Sequence, residues 1–405
     1  MKNYGGNEMS NKVLFVLQSI GYGGSMTSLI NLQYLLHNEK DIRSDMLFMD
    51  PDGALLSEAK KAGNVLKSNL LLKAVTQKRT QFKGAHGVFL WILRMYCYIL
   101  GKINKCSAQE MAYRIAAKKY SDKYDYVVAF QESTATNFTY HINAKKKITW
   151  VHNDLCNVSK IYADKLPIVY SQYDKIVCVS DAAVNNFIAK SNIPDVDNKI
   201  LRIYNSFRPS SILEKATEIA EDFEQNSCMK FVSVGRVVQQ KSFLRAIETA
   251  NRLRKEGFKF VWYIIGSGEQ EDMLKEAIDT FKLQNVVKMI GARINPYSYI
   301  SKCDIMVITS EFEAHPMVAN EALILHVPVI STNYESAGEV VQHNYNGLLC
   351  NNSTEGVYEA VKRILSDHDL FVELKNNADS FEYDNQSILN QLKDLFDEKE
   401  NFFEY

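Results

Sequence analysis

No cysteine of this chain stands in a Cys-x-x-Cys pair. The seven present (Cys97, Cys106, Cys156, Cys178, Cys228, Cys303 and Cys350) are odd in number and scattered. That argues against a disulfide framework or a zinc site and for a reducing compartment. The opening stretch MKNYGGNEMSNK lacks the apolar core of a signal peptide. No apolar run reaches bilayer length. The most apolar one, Gly87 to Leu100 (GVFLWILRMYCYIL), is too short to span and carries Arg94 in its middle. The expectation is a cytoplasmic protein, soluble or at most peripheral on the inner face of the plasma membrane. Charge excess is also missing: 47 basic residues against 48 acidic ones leave −1, which argues against a general polyanion binder and against nucleic acid as partner while leaving room for a local basic patch. Internal repeats and low-complexity segments are absent as well.

What is there suits a folded two-domain chain. Its 405 residues exceed one ordinary domain, and 46% hydrophobic against 23% charged residues is enough to fill a core. Lys12 to Gln18 (KVLFVLQ) reads as a buried strand, followed by the glycine turn Gly21 to Gly24 and a helical pattern from Thr27 to Leu36. Short apolar runs recur at Met46 to Met49, Tyr126 to Phe130, Lys147 to Val151 and Lys175 to Val179, each followed by polar or helical sequence. Phe207 to Ser227 has no strand pattern. The rhythm restarts at Lys230 to Val234 and continues through Phe260 to Ile265, Val286 to Ile290, Ile305 to Ile308 and Val327 to Ile330. Such alternation predicts two consecutive doubly wound α/β domains with parallel sheets, joined near Phe207. The chain closes on an amphipathic segment, Ile388 to Phe396, and the aromatic tail FFEY.

Two strings in the second half carry chemistry. Ser310 to Leu323 (SEFEAHPMVANEAL) follows a strand and places Glu313 in a loop, Pro316 at a helix start and Glu321 inside that helix. The free N–H groups of Met317 and Val318 at the helix N-terminus form a phosphate site, and the Glu321 carboxylate can accept both hydroxyls of a ribose. The bland alternative is two solvated glutamates on a capped helix. Phe231 to Ser242 (FVSVGRVVQQKS) puts Arg236 and Lys241 after a strand, where open α/β sheets bind ligands. Arginine grips phosphate in parallel bonds and lysine adds a compact charge, although both could be ordinary surface cations.

GRVVQQK followed by EAHPMVANE resembles the diphosphate and ribose motifs of glycosyltransferase family 4, the large retaining group of GT-B fold. The glycine loop, YDYVVAF, WVHND, YDKIVCVSD, IYNSF, IIGSGEQ, IGAR, VPVISTN and NGLL fall in the order that family shows. The resemblance implies a GT-B fold: two Rossmann-like domains facing a central cleft, residues 1–206 for the acceptor and 207–380 for the nucleotide sugar, with a last helix within 381–405 packing back on the first. It further implies that Glu313 faces the donor sugar, Glu321 holds the ribose, and Arg236 and Lys241 grip the diphosphate. Gly266, Gly268, Ala292 and Arg293 would border the base, while Gly23 and Gly24 approach phosphate and acceptor. For those two glycines a tight strand–helix turn is the structural alternative. With Met26 in the third position, the loop lacks the Gly-x-Gly-x-x-Gly of a dinucleotide fold. His152 resembles a family histidine near sugar and acceptor, and Asp154 is a weaker candidate beside it. The sequence departs from the family at Ala314-His315, Asn320 and Met26, which bears on sugar and acceptor selectivity.

The expected function is retaining transfer of a hexose or N-acetylhexosamine to a saccharide or lipid-linked acceptor. The donor is a nucleotide-diphosphate sugar, with uridine diphosphate the family's commonest carrier, and neither metal nor cofactor is expected. The alternatives are a GT-B sugar-nucleotide epimerase and a non-catalytic nucleotide-sugar-binding protein. Three Asp-x-Asp strings, Asp50/Asp52, Asp195/Asp197 and Asp367/Asp369, sit in turn-like contexts and read as loop acids. Residues 83–105 mix Phe89, Trp91, Tyr96 and Tyr98 with Lys83, Arg94, Lys102 and Lys105. That composition suits a helix at a membrane surface, or else a helix whose aromatic side is core.

Overall fold

The computed structural model describes residues 11–397 except 22, 78–79, 81, 133, 153–165 and 225–226. Asp154, Cys156 and the FFEY tail therefore lie outside the described residues. The chain divides into two compact units, Met1–Ser206 with Asn385–Tyr405, and Phe207–Asp384.

The first unit is built on seven strands: β1 (Asn11–Ser19), β2 (Ile42–Asp50), β3 (Asn64–Val65), β4 (Tyr126–Ala129), β5 (Lys146–Val151), β6 (Lys175–Cys178) and β7 (Ile200–Arg202). They pair in parallel in the order β3-β2-β1-β4-β5-β6-β7. Val13 to Leu17 of β1 are fully buried because helices cover both faces, which is why this strand reads as a continuous apolar run. The order reverses between β1 and β4. The glycine turn after β1 opens the Gly24–Leu36 helix, with Gly23 at its N-cap. His152 directly follows β5.

The last helix among the described residues, Asn385–Phe396, belongs to this unit. Phe396 is wholly buried, its ring 6.2 Å from Phe15 and 5.3 Å from Tyr126, and Asn11 Nδ2 donates to its carbonyl at 2.5 Å. Lys393 pairs with Glu39 at 2.6 Å. The helix supplies core to strands that precede it by hundreds of residues.

The Gly84–Ile103 helix settles one of the two readings of residues 83–105. Its buried side is Gly87, Leu90, Cys97 and Gly101, whereas Phe89, Trp91, Tyr96 and Tyr98 are exposed. The aromatic side is therefore not core. Among the described residues no helix is long and apolar enough to cross a membrane.

The second unit holds β8 (Met229–Val234), β9 (Phe260–Ile265), β10 (Val287–Gly291), β11 (Ile305–Ile308), β12 (Val329–Thr332) and β13 (Gly347–Cys350), all parallel, in the order β10-β9-β8-β11-β12-β13. Successive residues feed opposite cores. Phe231, Trp262 and Ile264 enter one, and Val232, Val261, Tyr263 and Ile265 the other. Buried Trp262 donates to Ser233 Oγ at 3.0 Å, and that hydroxyl donates to the Val307 carbonyl at 2.6 Å, so no polar atom of the trio is orphaned. Here too the order reverses, between β8 and β11, so the loops after these two strands flank the switch point.

Removing the Phe396 ring should cost about 3–5 kcal/mol, the usual range for emptying a core phenylalanine site. In Phe396→Ala, hydrogen exchange should accelerate in β1 and β4 while β8 and β9 keep their protection. Equal loss in both units would disprove the assignment of this helix to the first unit's core.

Candidate active site of the second unit

The loop leaving β8 carries Arg236 and then a single 3-10 turn, Gln239–Lys241. It lies against the loop leaving β9: Gly235 N–H donates to Ile265 O at 3.0 Å and Val237 N–H to Ser267 O at 2.9 Å. A Cβ on Gly266 would stand 1.8 Å from Gly235 O, and one on Gly268 would stand 2.3 Å from Val237 O. Both positions require glycine because backbone approaches backbone there. This gives the two glycines a local structural reason, whatever they border in a complex.

Across the switch point the Lys241 loop is stitched to the loop leaving β11. Thr309 Oγ1 donates to Lys241 O at 2.7 Å, Glu311 N–H to Gln240 O at 2.8 Å, and Gln240 Nε2 to Phe312 O at 2.8 Å. Lys241 Nζ meets Glu313 Oε1 at 2.5 Å, with side chains only 16% and 12% exposed. Ser310 Oγ donates to the same carboxylate oxygen at 2.7 Å, and Ser336 Oγ to the Glu313 carbonyl at 2.8 Å. Two residues separated by 72 positions are thus locked together. Arg236 is exposed and enters no ion pair among the described residues.

The helix expected to begin at Pro316 runs from Met317 to Ile324, with Pro316 as its N-cap in an extended conformation. This is a one-residue shift. Met317 and Val318 occupy the first two helical positions, where N–H groups have no partner within the helix. Glu321 sits on the helix with 8% of its surface exposed and accepts a hydrogen bond from Tyr297 Oη at 3.0 Å. Burial pushes its carboxyl up to about 7, against the opposing pull of the Tyr297 bond and of the Lys241 charge. Tyr297 is itself pushed well up by burial and by Glu321. Lys241, Glu313, Glu321 and Tyr297 therefore form one cluster.

Tyr297 was not singled out from sequence, and no local signal marks it. It lies in a four-residue helix, Tyr297–Ile300, 24 positions from Glu321. Ser310 could have been found, since it opens the motif string. His315 is buried, and burial holds its imidazole down at about 4, so it stands as a neutral ring at pH 7. Asn320 is buried with Nδ2 3.5 Å from Pro316 O.

Elsewhere the candidates are less concentrated. Ala292 is exposed, and the Arg293 charge is met by Asp222 at 2.7 Å, with Nε donating to Tyr299 Oη at 3.1 Å. In the first unit, a Cβ on Gly23 would meet only the Met26 side chain, with its methyl at 2.7 Å. His152 donates its backbone N–H to Glu132, and its ring centroid lies 4.9 Å from that of Phe130. The Asp-x-Asp strings have local work. Gln77 Nε2 bridges Asp50 and Asp52, Asp195 lies in a left-handed turn, and Asp367 caps the His368–Asp379 helix.

Two parallel doubly wound sheets with these connections are the GT-B fold. The crystal structure of HepE from Anabaena in complex with UDP and glucose superposes with a TM-score of 0.74 at 18% identity, covering 96% of this chain and all of that one. Residues 215–381 match the family described as Glycosyl transferases group 1. An uncharacterized glycosyltransferase of Methanocaldococcus jannaschii is 27% identical over 198 residues, 47% of this chain and 49% of that protein. The Campylobacter jejuni N-acetylgalactosamine-N,N'-diacetylbacillosaminyl-diphospho-undecaprenol 4-alpha-N-acetylgalactosaminyltransferase is 29% identical over 216 residues, 53% of this chain and 56% of that protein. The chain thus spans about half the length of these curated relatives.

Glu321 generates a test of the cluster's electrostatics. The folded chain holds this proton to about pH 7, whereas an unfolded chain releases it near the ordinary glutamate value of about 4.3. The stability associated with the neutral acid is therefore fully present below the unfolded value and lost as pH rises through 7. Glu321→Gln should stabilise the ligand-free chain by about 2 kcal/mol more at pH 8 than at pH 5.5. Denaturant melts at the two pH values measure this, and a pH-independent difference would contradict it.

Proposed function

We propose that this protein is a retaining glycosyltransferase. It moves a hexose or N-acetylhexosamine from a uridine diphosphate sugar to a saccharide or lipid-linked acceptor in cell-surface polysaccharide or glycoconjugate synthesis. The observation that carries the reading is the gathering of Lys241, Glu313 and Glu321 at the switch point of the second sheet, with exposed Arg236 on the same loop as the lysine. The group 1 match over this unit and the sugar-transferring relatives support it. The undecaprenol-linked substrate in the Campylobacter relative's name supports the lipid-linked option. Six described cysteines are all free, which fits a cytoplasmic setting.

In this reading Arg236, Lys241 and the N–H groups of Met317 and Val318 receive the diphosphate. Glu321 accepts the ribose hydroxyls, and Gly266, Gly268, Ala292 and Arg293 border the base. Glu313 faces the sugar, while His152, Gly23 and Gly24 serve the sugar and acceptor. The acceptor oxygen bonds to the anomeric carbon on the face from which the diphosphate departs, and the hydroxyl proton passes to the leaving phosphate oxygen. Catalysis is then positional and electrostatic. Lys241 must exchange its Glu313 partner for phosphate, which keeps the ammonium paired and leaves the Glu313 carboxylate with the Ser310 hydroxyl and the donor sugar as its partners.

The leaving diphosphate's charge is met by two cations and a helix N-terminus, so a divalent cation is not required in this scheme. Release of UDP from UDP-glucose, UDP-galactose and the UDP-N-acetylhexosamines, with and without saccharide or lipid-linked acceptors, tests the activity. An epimerised donor without acceptor would select the epimerase, and binding with neither product the non-catalytic alternative. Arg236→Ala and Lys241→Ala should each lower turnover by about a hundredfold. Arg236→Lys should also be impaired, since an ammonium cannot make the parallel bonds of a guanidinium. Turnover should survive excess chelator; loss on chelation with recovery on added manganese would overturn the cation assignment.

The two glutamates should separate in a second experiment. Glu321→Ala should weaken UDP and UDP-sugar alike by roughly ten- to a hundredfold, the usual loss for a charged hydrogen-bond partner. Glu313→Ala should depress turnover while UDP binds as well or better, because the carboxylate that competes for Lys241 is gone. Isothermal titration beside initial rates reads both. Weakened UDP binding in Glu313→Ala, or unchanged binding in Glu321→Ala, would reverse the roles.

A further inference from the structure

The Gly84–Ile103 helix of the first unit has no part in the proposed reaction. Between Lys83 and Lys102 its only lysine, arginine, aspartate or glutamate is Arg94, and that side chain turns inward. Its guanidinium donates to the carbonyl oxygens of Val75 at 3.4 Å and Gln77 at 3.5 Å. The outer side is left to Val88, Trp91, Ile92, Tyr96, Ile99 and Ile103, which expose from 49% to 71% of their surfaces. At about 1.5 Å per residue the stripe runs along a helix of roughly 30 Å. Isolated exposed hydrophobics need no explanation, but a continuous helical stripe of them does.

The surrounding charge indicates what covers it. Between Ala59 and Gln109 the chain carries ten lysines and arginines and not one aspartate or glutamate, although the whole chain has a net charge of −1. Lys83, Lys102 and Lys105 flank the stripe and are exposed, and Lys102 Nζ lies 5.5 Å from the Tyr98 ring centroid. A two-fold contact between copies would set this cationic segment against its own duplicate. Lipid phosphates would neutralise it. We propose that this face docks on an anionic lipid surface. The helix lies in the headgroup plane, with Trp91, Ile92 and Ile99 entering the acyl boundary and Lys83, Lys102 and Lys105 reaching the phosphates. The proposal does not depend on the activity proposed above.

The chain contains its own probe. Of its three tryptophans, Trp150 and Trp262 are buried, and Trp91 alone is exposed. Full-length protein should sediment with vesicles of phosphatidylglycerol and phosphatidylcholine, shift its tryptophan emission to the blue, and release at high salt. The double variant Ile92→Glu/Ile99→Glu alters only exposed positions, so its circular dichroism should match the parent while retention falls at least roughly tenfold. The triple variant Lys83→Gln/Lys102→Gln/Lys105→Gln should lose retention on the anionic vesicles as well. Equal retention of parent and variants, or equal retention on phosphatidylcholine alone, would overturn the proposal. So would a lipid-free dimer, seen by light scattering, that the glutamate variant splits, since a second copy would then be the occupant.

Discussion

Lys241 and Glu313 meet at 2.5 Å on two loops that the sheet's strand order places side by side. Neither charge could be left alone in so sheltered a place without a cost of several kcal/mol. The ion pair therefore fixes both loops, and the neighbouring polar contacts are arranged around it. Ser310 satisfies the carboxylate, Ser336 holds the Glu313 backbone, and Thr309 and Gln240 close the lysine side. Beneath the lysine loop, Gly266 and Gly268 remove the side chains that would push it away. The result is an ammonium and a carboxylate fixed against each other at the switch point.

The two glutamates of one short string differ through surroundings alone. Glu313 is held by an ammonium and a hydroxyl, whereas Glu321 is enclosed by the helix that carries it and touched by a phenol. Residues of the same type whose environments diverge in this way are how a single fold divides labour between groups.

Most of the architecture was legible because buried parallel strands leave an unmistakable apolar signature. KVLFVLQ and FVWYII have both faces covered, and the sequence says so without reference to partners. β3, β7 and β13 escaped because they are short, lie at sheet edges and are only partly buried, so their residues need not be uniformly apolar. The site divides along the same line. Arg236, Lys241, Glu313 and Glu321 were visible as residue types at loop and helix positions after strands. Tyr297 and the Asp222 partner of Arg293 were not, because each contact joins positions 24 or 71 residues apart and no periodicity records it. In the 83–105 segment, composition indicated an amphipathic helix but not its direction. That was decided by Arg94, whose inward bonds orient the helix, and by Gly87 and Gly101 in the buried seam.

The return of the Asn385–Phe396 helix to the first unit makes the second unit, in chain terms, an insertion. A ribosome delivers β1 to β7 early, yet the side of that sheet that receives Phe396 stays uncovered until residues 207–384 have followed. Domains usually mature in the order in which they are synthesised. Here the second unit has all its own strands available first, and the first unit is finished last. Anything that stalls or clips synthesis before Phe396 would therefore leave damage in strands laid down hundreds of residues earlier. The exposed aromatic edge around Phe15 and Tyr126 is the surface that a quality-control chaperone would be expected to find.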